Sequence, residues 1–352
     1  MKRQNRNPQL KSSRTAFSLI ELLIVIVIIA ILMGLLLPMI GSIRRRARLT
    51  QVKAEITRFN SAIAAFKGRF NVEPPSAIVI PNPASSGVDW DPVSRRRIRA
   101  IWPQFNFPTA GGIDPSYFGG RDYIVLTGAE CLVFFLGGLP VNSAADLTVD
   151  PPAPTLGAMD QVTLTGFSKN PRAPFALAGS NRDTSPFEFE AVRFVDVDGD
   201  LFPEYVDTLP GQTTPYFYIS SYNRGNYPLQ VPGGIDDFDV FSAVTSLMDD
   251  DGDGILQMYN TAGATHADTG GAVANLATVY HQTGSPANPG DPWKDQSYQL
   301  ISPGEDHAYG GASVLNAAYA GAGVFLTDDA SEVQLGDRDN LTNFNEGLTL
   351  GE

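Results

Sequence analysis

Apolar and polar positions along the chain change pattern twice within the first seventy residues. From Leu22 to Ile40, nineteen residues carry no charge, and nearly all are Leu, Ile, Val, Met or Ala. As a helix, such a run crosses about 30 Å of hydrocarbon. A single segment in lipid must satisfy its own backbone hydrogen bonds, which leaves a helix as its form. The pattern then becomes periodic: Leu49, Val52, Ile56, Phe59, Ile63 and Phe66 recur at spacings of 3, 4, 3, 4 and 3. That is one apolar stripe on a helix, with Lys53, Glu55, Arg58 and Lys67 off the stripe. Together the two stretches predict one helix from Phe17 to about Lys67, about 77 Å long at 1.5 Å per residue. Gly34 and Pro38 lie inside it, and a kink or loosened turn is expected there, because proline removes one hydrogen bond and clashes one turn back. Glu73-Pro74-Pro75 ends the helical stretch.

Further on, residues 76–122 are rich in Pro, Gly and aromatics and read as ordered loop. In TGAECLVFFLGGLP, Thr127 and Glu130 have the spacing of a capping box and Gly137-Gly138 supplies a stop, so a short buried helix is expected over 128–136. Residues 142–166, rich in Pro and Asp, read as loop. FEFEAVRFVDVD (187–198) alternates like a strand, and PYFYISSY (215–222) reads as another. Residues 259–292, rich in Gly, Ala, Thr and Asn, read as a long loop or insertion.

Charge and composition narrow the function. The leader MKRQNRNPQLKSSRTA holds five Lys/Arg and no acid. A secretory signal would be followed by a small-residue cleavage site after the apolar run; here the run continues to Pro38, Ser42 and the cluster Arg44, Arg45, Arg46 and Arg48. With cations on both sides, the positive-inside rule gives almost no preference for topology. The formal net charge is −13, which argues against nucleic acid as a partner, since phosphate binding needs basic patches. The cluster Arg95, Arg96, Arg97 and Arg99 reads as solvated or acid-paired. Gly and Pro total 60 residues, so the part after the helix should be rich in strands and loops. Cys131 is the only cysteine; no intrachain disulfide can form, and its apolar surroundings read as core. No catalytic constellation stands out: His266, His281 and His307 lie far apart with no metal-helix spacing, and there is no G-x-S-x-G or Walker A run. An enzyme is not expected.

A plain anchor leaves Glu21 unexplained, because an ionisable group beside hydrocarbon is costly and usually has a partner. The leader followed by FSLIELLIVIVIIAIL strongly resembles the class III signal of type IV pilins and type II secretion pseudopilins. The resemblance implies cleavage between Ala16 and Phe17 and methylation of the new Phe17 amine. Glu21 then stands fifth in the mature chain, where the family keeps its glutamate, and Pro38 stands where the family has its helix-interior proline. Ala16 in place of Gly is the departure. Removing residues 1–16 takes five positive charges and leaves about −18. In the C-terminal part, DPWKDQSYQLISPG (Asp291 to Gly304) and GDRDNLTNF (Gly336 to Phe344) resemble segments of the major type II secretion pseudopilin. The two resemblances cover roughly residues 14–70 and 291–344.

From these likenesses follows an α+β fold of pilin type. A leader (1–16) precedes an N-terminal helix (17–67, transmembrane about 20–42). A periplasmic globular domain of antiparallel sheet (68–352) follows, with a large insertion over about 76–290 and a pseudopilin-like part at 291–347. The expected function is structural: a subunit of a type II secretion pseudopilus that polymerises through its helix. The alternatives are a type IV pilus subunit for adhesion or motility, and a membrane-anchored binding module or enzyme using the insertion. The implied partners are further copies in a helical filament, a prepilin peptidase, other pseudopilins, the inner-membrane secretion platform and the membrane itself. The implied location is the inner membrane, single-pass, with the C-terminal domain in the periplasm.

Three acidic clusters have the oxygen-rich character calcium requires. Asp249, Asp251 and Asp253 with Gly254 match the first half of an EF-hand loop, although its twelfth position is Asn260. Asp196, Asp198 and Asp200 lie near Glu204 and Asp207, without the sixth-position Gly. Asp337, supported by Asp328 or Asp329, falls on a calcium ligand of the pseudopilin family, and Asn340 falls where that family has Asp. Each cluster also reads as a solvated turn, since Asp and Gly form turns readily.

Overall fold

The computed structural model describes residues 18–221 apart from 87–88, 108–112, 143–157, 178–180 and 198–200. It also describes 280–281, 284–285, 288–289, 293–307, 309, 324–325, 339–345 and 347–350, and the side chains of the first helix except those of residues 35–39. The fold is α+β. Two compact units divide it, Met1–Ala47 and Arg48–Glu352.

Helix α1 runs from Leu19 to Phe70. In the first unit its large apolar side chains are exposed without exception among those described, from Leu19 to Met33 and again at Ile40 and Ile43. In the second unit the expected stripe is buried throughout: Leu49, Val52, Ile56, Phe59, Ile63 and Phe66 are each at most 4% exposed. The helix continues three residues past Lys67 and ends at Asn71. That residue takes a left-handed conformation (φ 59°) and donates its amide to the Lys67 carbonyl at 2.8 Å. Phe66 and Phe70 pack ring to ring at 4.6 Å, which gives the extra turn an apolar anchor.

Residues 76–122 hold more regular structure than a loop. Strand β1 (Ile78–Pro81) pairs antiparallel with β2 (Tyr123–Leu126), and between them lies helix α2 (Pro92–Ile101). Asp91 caps α2, its Oδ1 accepting from the amides of Val93 and Ser94, and Pro92 takes the first helical position, where no amide is needed. Helix α3 (Gly128–Gly137) forms where the capping-box spacing places it, and all ten of its residues are buried. Glu130 Oε2 accepts from both the amide and the hydroxyl of Thr127 at 2.6 Å. The chain then turns through Gly138 (φ 92°), whose missing Cβ leaves room for the Gly166 backbone; a Cβ there would lie 2.3 Å from it.

The region 142–166 is likewise not all loop, since β3 (Pro140–Asn142) pairs with β4 (Val162–Leu164). The expected strand over 187–198 is reduced to β5 (Phe194–Val195), paired with β6 (Glu204–Tyr205) and preceded by a 3-10 turn at Ala191–Arg193. Alternating phenylalanines here serve ring packing rather than a ladder. Phe187 stacks on Phe59 of α1 with centroids 3.9 Å apart, and Phe189 meets Tyr205 edge-on at 4.9 Å. Strand β7 (Phe217–Ser220) forms within the stretch expected for it. Short pairs follow: β8 (Tyr280–His281), β9 (Gly284–Ser285) and β10 (Asn288–Pro289), the last two forming a hairpin. The principal C-terminal strand, β11 (Tyr298–Ser302), lies between β7 and β13 (Leu341–Thr342), antiparallel to both; β12 (Val324–Phe325) runs parallel to β8. Among the described residues, polar contacts also join this sheet to the second half of α1. Tyr298 donates to Asn60 at 2.8 Å, and Lys53 donates to the carbonyls of Thr342 (2.9 Å) and Asn345 (2.6 Å).

Candidate assembly site

At the start of α1, Ser18 and Glu21 close a capping box. The Ser18 amide donates to Glu21 Oε2 at 2.9 Å, and the Glu21 amide donates to Ser18 Oγ at 3.2 Å. Two amides that the helix cannot satisfy are thereby satisfied reciprocally. The carboxylate lies at the positive end of the helix dipole. A carboxylate offers about four lone-pair positions, so acceptor capacity remains on Glu21 for a cationic donor from elsewhere. After it comes the band of exposed Leu, Ile, Val and Met described above, a surface suited to lipid or to packing against like helices. Ala16 and Phe17 lie outside the described residues; Pro38 is within α1, and its side chain lies outside them.

The second half of α1 carries a polar site that the hydrophobic pattern hides. Glu55, off the stripe in the sequence pattern, is 3% exposed. Its carboxylate accepts from Arg193 Nη1 at 2.9 Å and from the Tyr216 hydroxyl at 2.7 Å, and a further short contact joins it to Arg193 Nη2. Arg193 also touches the Tyr205 hydroxyl, lies 4.2 Å from the centre of the Tyr205 ring, and donates to the Val206 carbonyl at 3.3 Å. Burial pushes the Tyr216 hydroxyl well above its usual value, the Glu55 charge adding to the effect, so it stays a donor. The available sequence signal was position: Glu55 is three residues from Val52 and four from Phe59, within the arc the stripe buries.

Most of the acidic positions singled out for calcium, Asp249, Asp251, Asp253, Asp328, Asp329 and Asp337, lie outside the described residues, as do Asp198 and Asp200. Asn340 is fully buried. Its neighbour Asp339 accepts the amides of Glu305 (2.5 Å) and Asp306 (2.9 Å), which ties the C-terminal segment to the turn after β11, and burial raises its carboxyl. In the 196–207 stretch, Glu204 accepts the Val197 amide at 3.0 Å. Asp207 accepts from Leu209 N (2.8 Å), Gln212 Nε2 (3.1 Å) and Ser302 Oγ (2.6 Å), and burial raises its carboxyl above the usual value of 3.8. These two serve the fold. Among the described residues no three His, Cys, Asp or Glu side chains converge on a point that would hold a metal ion. Cys131 is buried, and desolvation raises its thiol far from reactivity.

Residues 11–37 match a family model described as the prokaryotic N-terminal methylation motif. No curated protein and no solved structure matches the chain. The chain therefore carries a prepilin-type signal, typical of the type IV pilin and pseudopilin superfamily, ahead of a pilin-like α+β fold. Such a signal goes with processing by a prepilin peptidase, with inner-membrane anchoring through the N-terminal helix before assembly, and with a filament subunit that is structural rather than enzymatic. Among the described residues no helix is long and apolar enough to cross a membrane; the described side chains of the apolar run stop at Gly34 and resume at Ile40.

Proposed function

We propose that this chain is a subunit of a type II secretion pseudopilus: it polymerises through α1 and helps move folded proteins out of the periplasm, with no bond chemistry of its own. The supporting observation is in the C-terminal sheet. The segments Asp291–Gly304 and Gly336–Phe344, each resembling the major pseudopilin, contribute adjacent strands β11 and β13. Trp293 of the first stacks on Phe344 of the second, with ring centroids 5.6 Å apart and planes 14° from parallel. Other pseudopilins and the inner-membrane secretion platform are its partners in this reading. Calcium at Asp337 with Asn340, and a further calcium at Asp249, Asp251 and Asp253, belong to the same proposal and rest on the sequence.

In the filament, Glu21 accepts the methylated amine of Phe17 from a neighbouring subunit, which offsets the cost of burying either charge alone. The test is Glu21→Ala in the native host. Membrane insertion is expected to persist, because the nineteen-residue run is untouched, while sheared filament and exported protein both fall at least about ten-fold, the equivalent of about 1.4 kcal/mol. Filaments at the normal level would refute the amine pairing. Loss of adhesion or motility with export intact would assign the chain to a type IV pilus instead.

A further inference from the structure

Helix α2 turns two different faces to its surroundings. Its inner face is fastened down: Ile98 and Ile101 are buried, Ser94 Oγ accepts the Val79 amide of β1 at 2.8 Å, and Arg97 donates to the Ala77 carbonyl at 2.6 Å. Its outer face carries Arg95, Arg96 and Arg99. Arg95 and Arg99, one turn apart, both lie over the ring of Phe107, at 5.2 and 5.1 Å from its centre. Phe107 is itself held edge-on by Trp90 at 5.5 Å, so the ring is a fixed shelf for two guanidinium groups. Arg95 is engaged by Asp89 through both carboxylate oxygens (2.8 and 2.9 Å). Arg96 and Arg99 are exposed.

Like charges three and four residues apart on a helix repel, so this face is held against a cost that an anionic partner would relieve. The rest of the second unit has the opposite character. Residues 48–352 hold 17 Lys/Arg against 37 Asp/Glu, a formal −20, and four of the seventeen cations fall within residues 95–99. Copies with so much negative charge repel one another, and a filament nevertheless holds them side by side at high effective concentration. A concentrated basic face meeting acidic surface converts part of that repulsion into attraction and fixes register.

We propose that the outer face of α2 is a lateral docking surface for the acidic surface of a second copy of this chain, with Arg96 and Arg99 as the groups that meet its carboxylates. The inference rests on the filament-subunit reading but is testable apart from it. Full-length chain in detergent is compared with Arg96→Glu/Arg99→Glu and Arg96→Lys/Arg99→Lys by sedimentation at low and at moderate salt. Wild-type self-association is expected to weaken as salt rises, because exposed charges are screened beyond about 10 Å at 0.1 M. The Glu pair is expected to self-associate about ten-fold more weakly at low salt, the Lys pair, which keeps the charge, within about two-fold of wild type, and all three to remain folded, each unfolding in a single cooperative thermal transition. In the native host the Glu pair lowers filament yield while membrane insertion persists. Self-association of the Glu pair equal to wild type at low salt overturns the docking surface, whatever the filaments do. Wild-type self-association through this face without any filament in the native host overturns the filament reading instead.

Discussion

Glu55 concentrates the consequences of a single side chain. A carboxylate at 3% exposure is a burden unless each oxygen is met, and here a guanidinium and a hydroxyl meet it. Arg193 reaches it from 138 residues along the chain, so the pair fixes which part of α1 lies against the β5–β6 region. Removing one partner strands the other in a site where water cannot replace it. Glu55→Ala is therefore expected to lower the unfolding free energy of the full chain by about 3–5 kcal/mol. Glu55→Ala/Arg193→Met should cost clearly less than the sum of the single changes, because the orphaned charge is gone. Urea unfolding of the detergent-solubilised chain measures both. A Glu55→Ala loss below about 1 kcal/mol would mean that the pair behaves as a solvated surface bridge.

At the level of elements, contact distances decide what substitution is tolerated. Gly128 opens α3 beneath β7, and a Cβ there would lie 1.9 Å from the Tyr218 carbonyl oxygen, a backbone atom that cannot swing aside. Gly128→Ala improves intrinsic helix propensity by about 1 kcal/mol, yet it forces α3 away from the sheet, and overpacking of this kind costs about 1–3 kcal/mol or more. The expected result is a less stable protein despite the better helix former, read as a lower urea midpoint; a higher midpoint would show that α3 and β7 separate freely. Elements of this kind were legible in the sequence where one local rule acted alone. The stripe of α1 announced its buried face by spacing, and α3 by its capping box and glycine stop. Residues 187–198 misled because strand-like alternation there places Phe187 and Phe189 against Phe59 and Tyr205, a tertiary demand that pairs no backbone. Helix α2 carried a readable start, Asp91-Pro92, but its run of arginines masked the apolar positions Ile98 and Ile101. Neither Arg193 nor its pairing with Glu55 had any sequence signal, since only the folded chain brings them together.

Over the whole molecule, charge is the dominant physical fact. After loss of the leader the chain would carry about −18, and part of that is crowded into the short runs 249–253 and 328–339. Adjacent carboxylates raise one another's pKa and resist a compact arrangement. The proposed calcium would remove that repulsion with one divalent ion for several charges, and hard oxygen donors suit it. An ion that binds only the folded form stabilises it by RT ln(1 + [L]/Kd), about 2.7 kcal/mol at one hundred times Kd. At about 2–4 °C per kcal/mol for a domain of this size class, the melting point should shift by roughly 5–10 °C. The full chain is accordingly expected to melt several degrees higher in millimolar calcium than in chelator. Magnesium should not substitute, because it holds its waters and demands a tighter octahedron. Asp337→Ala and Asp251→Ala should each remove part of the shift, and Asp207→Asn should leave it intact, since that carboxylate is committed to Leu209, Gln212 and Ser302. A melting point that calcium leaves unchanged within about a degree would identify the acidic runs as solvated turns and remove the metal from the proposal, while the C-terminal sheet and its Trp293–Phe344 stack would stand as before.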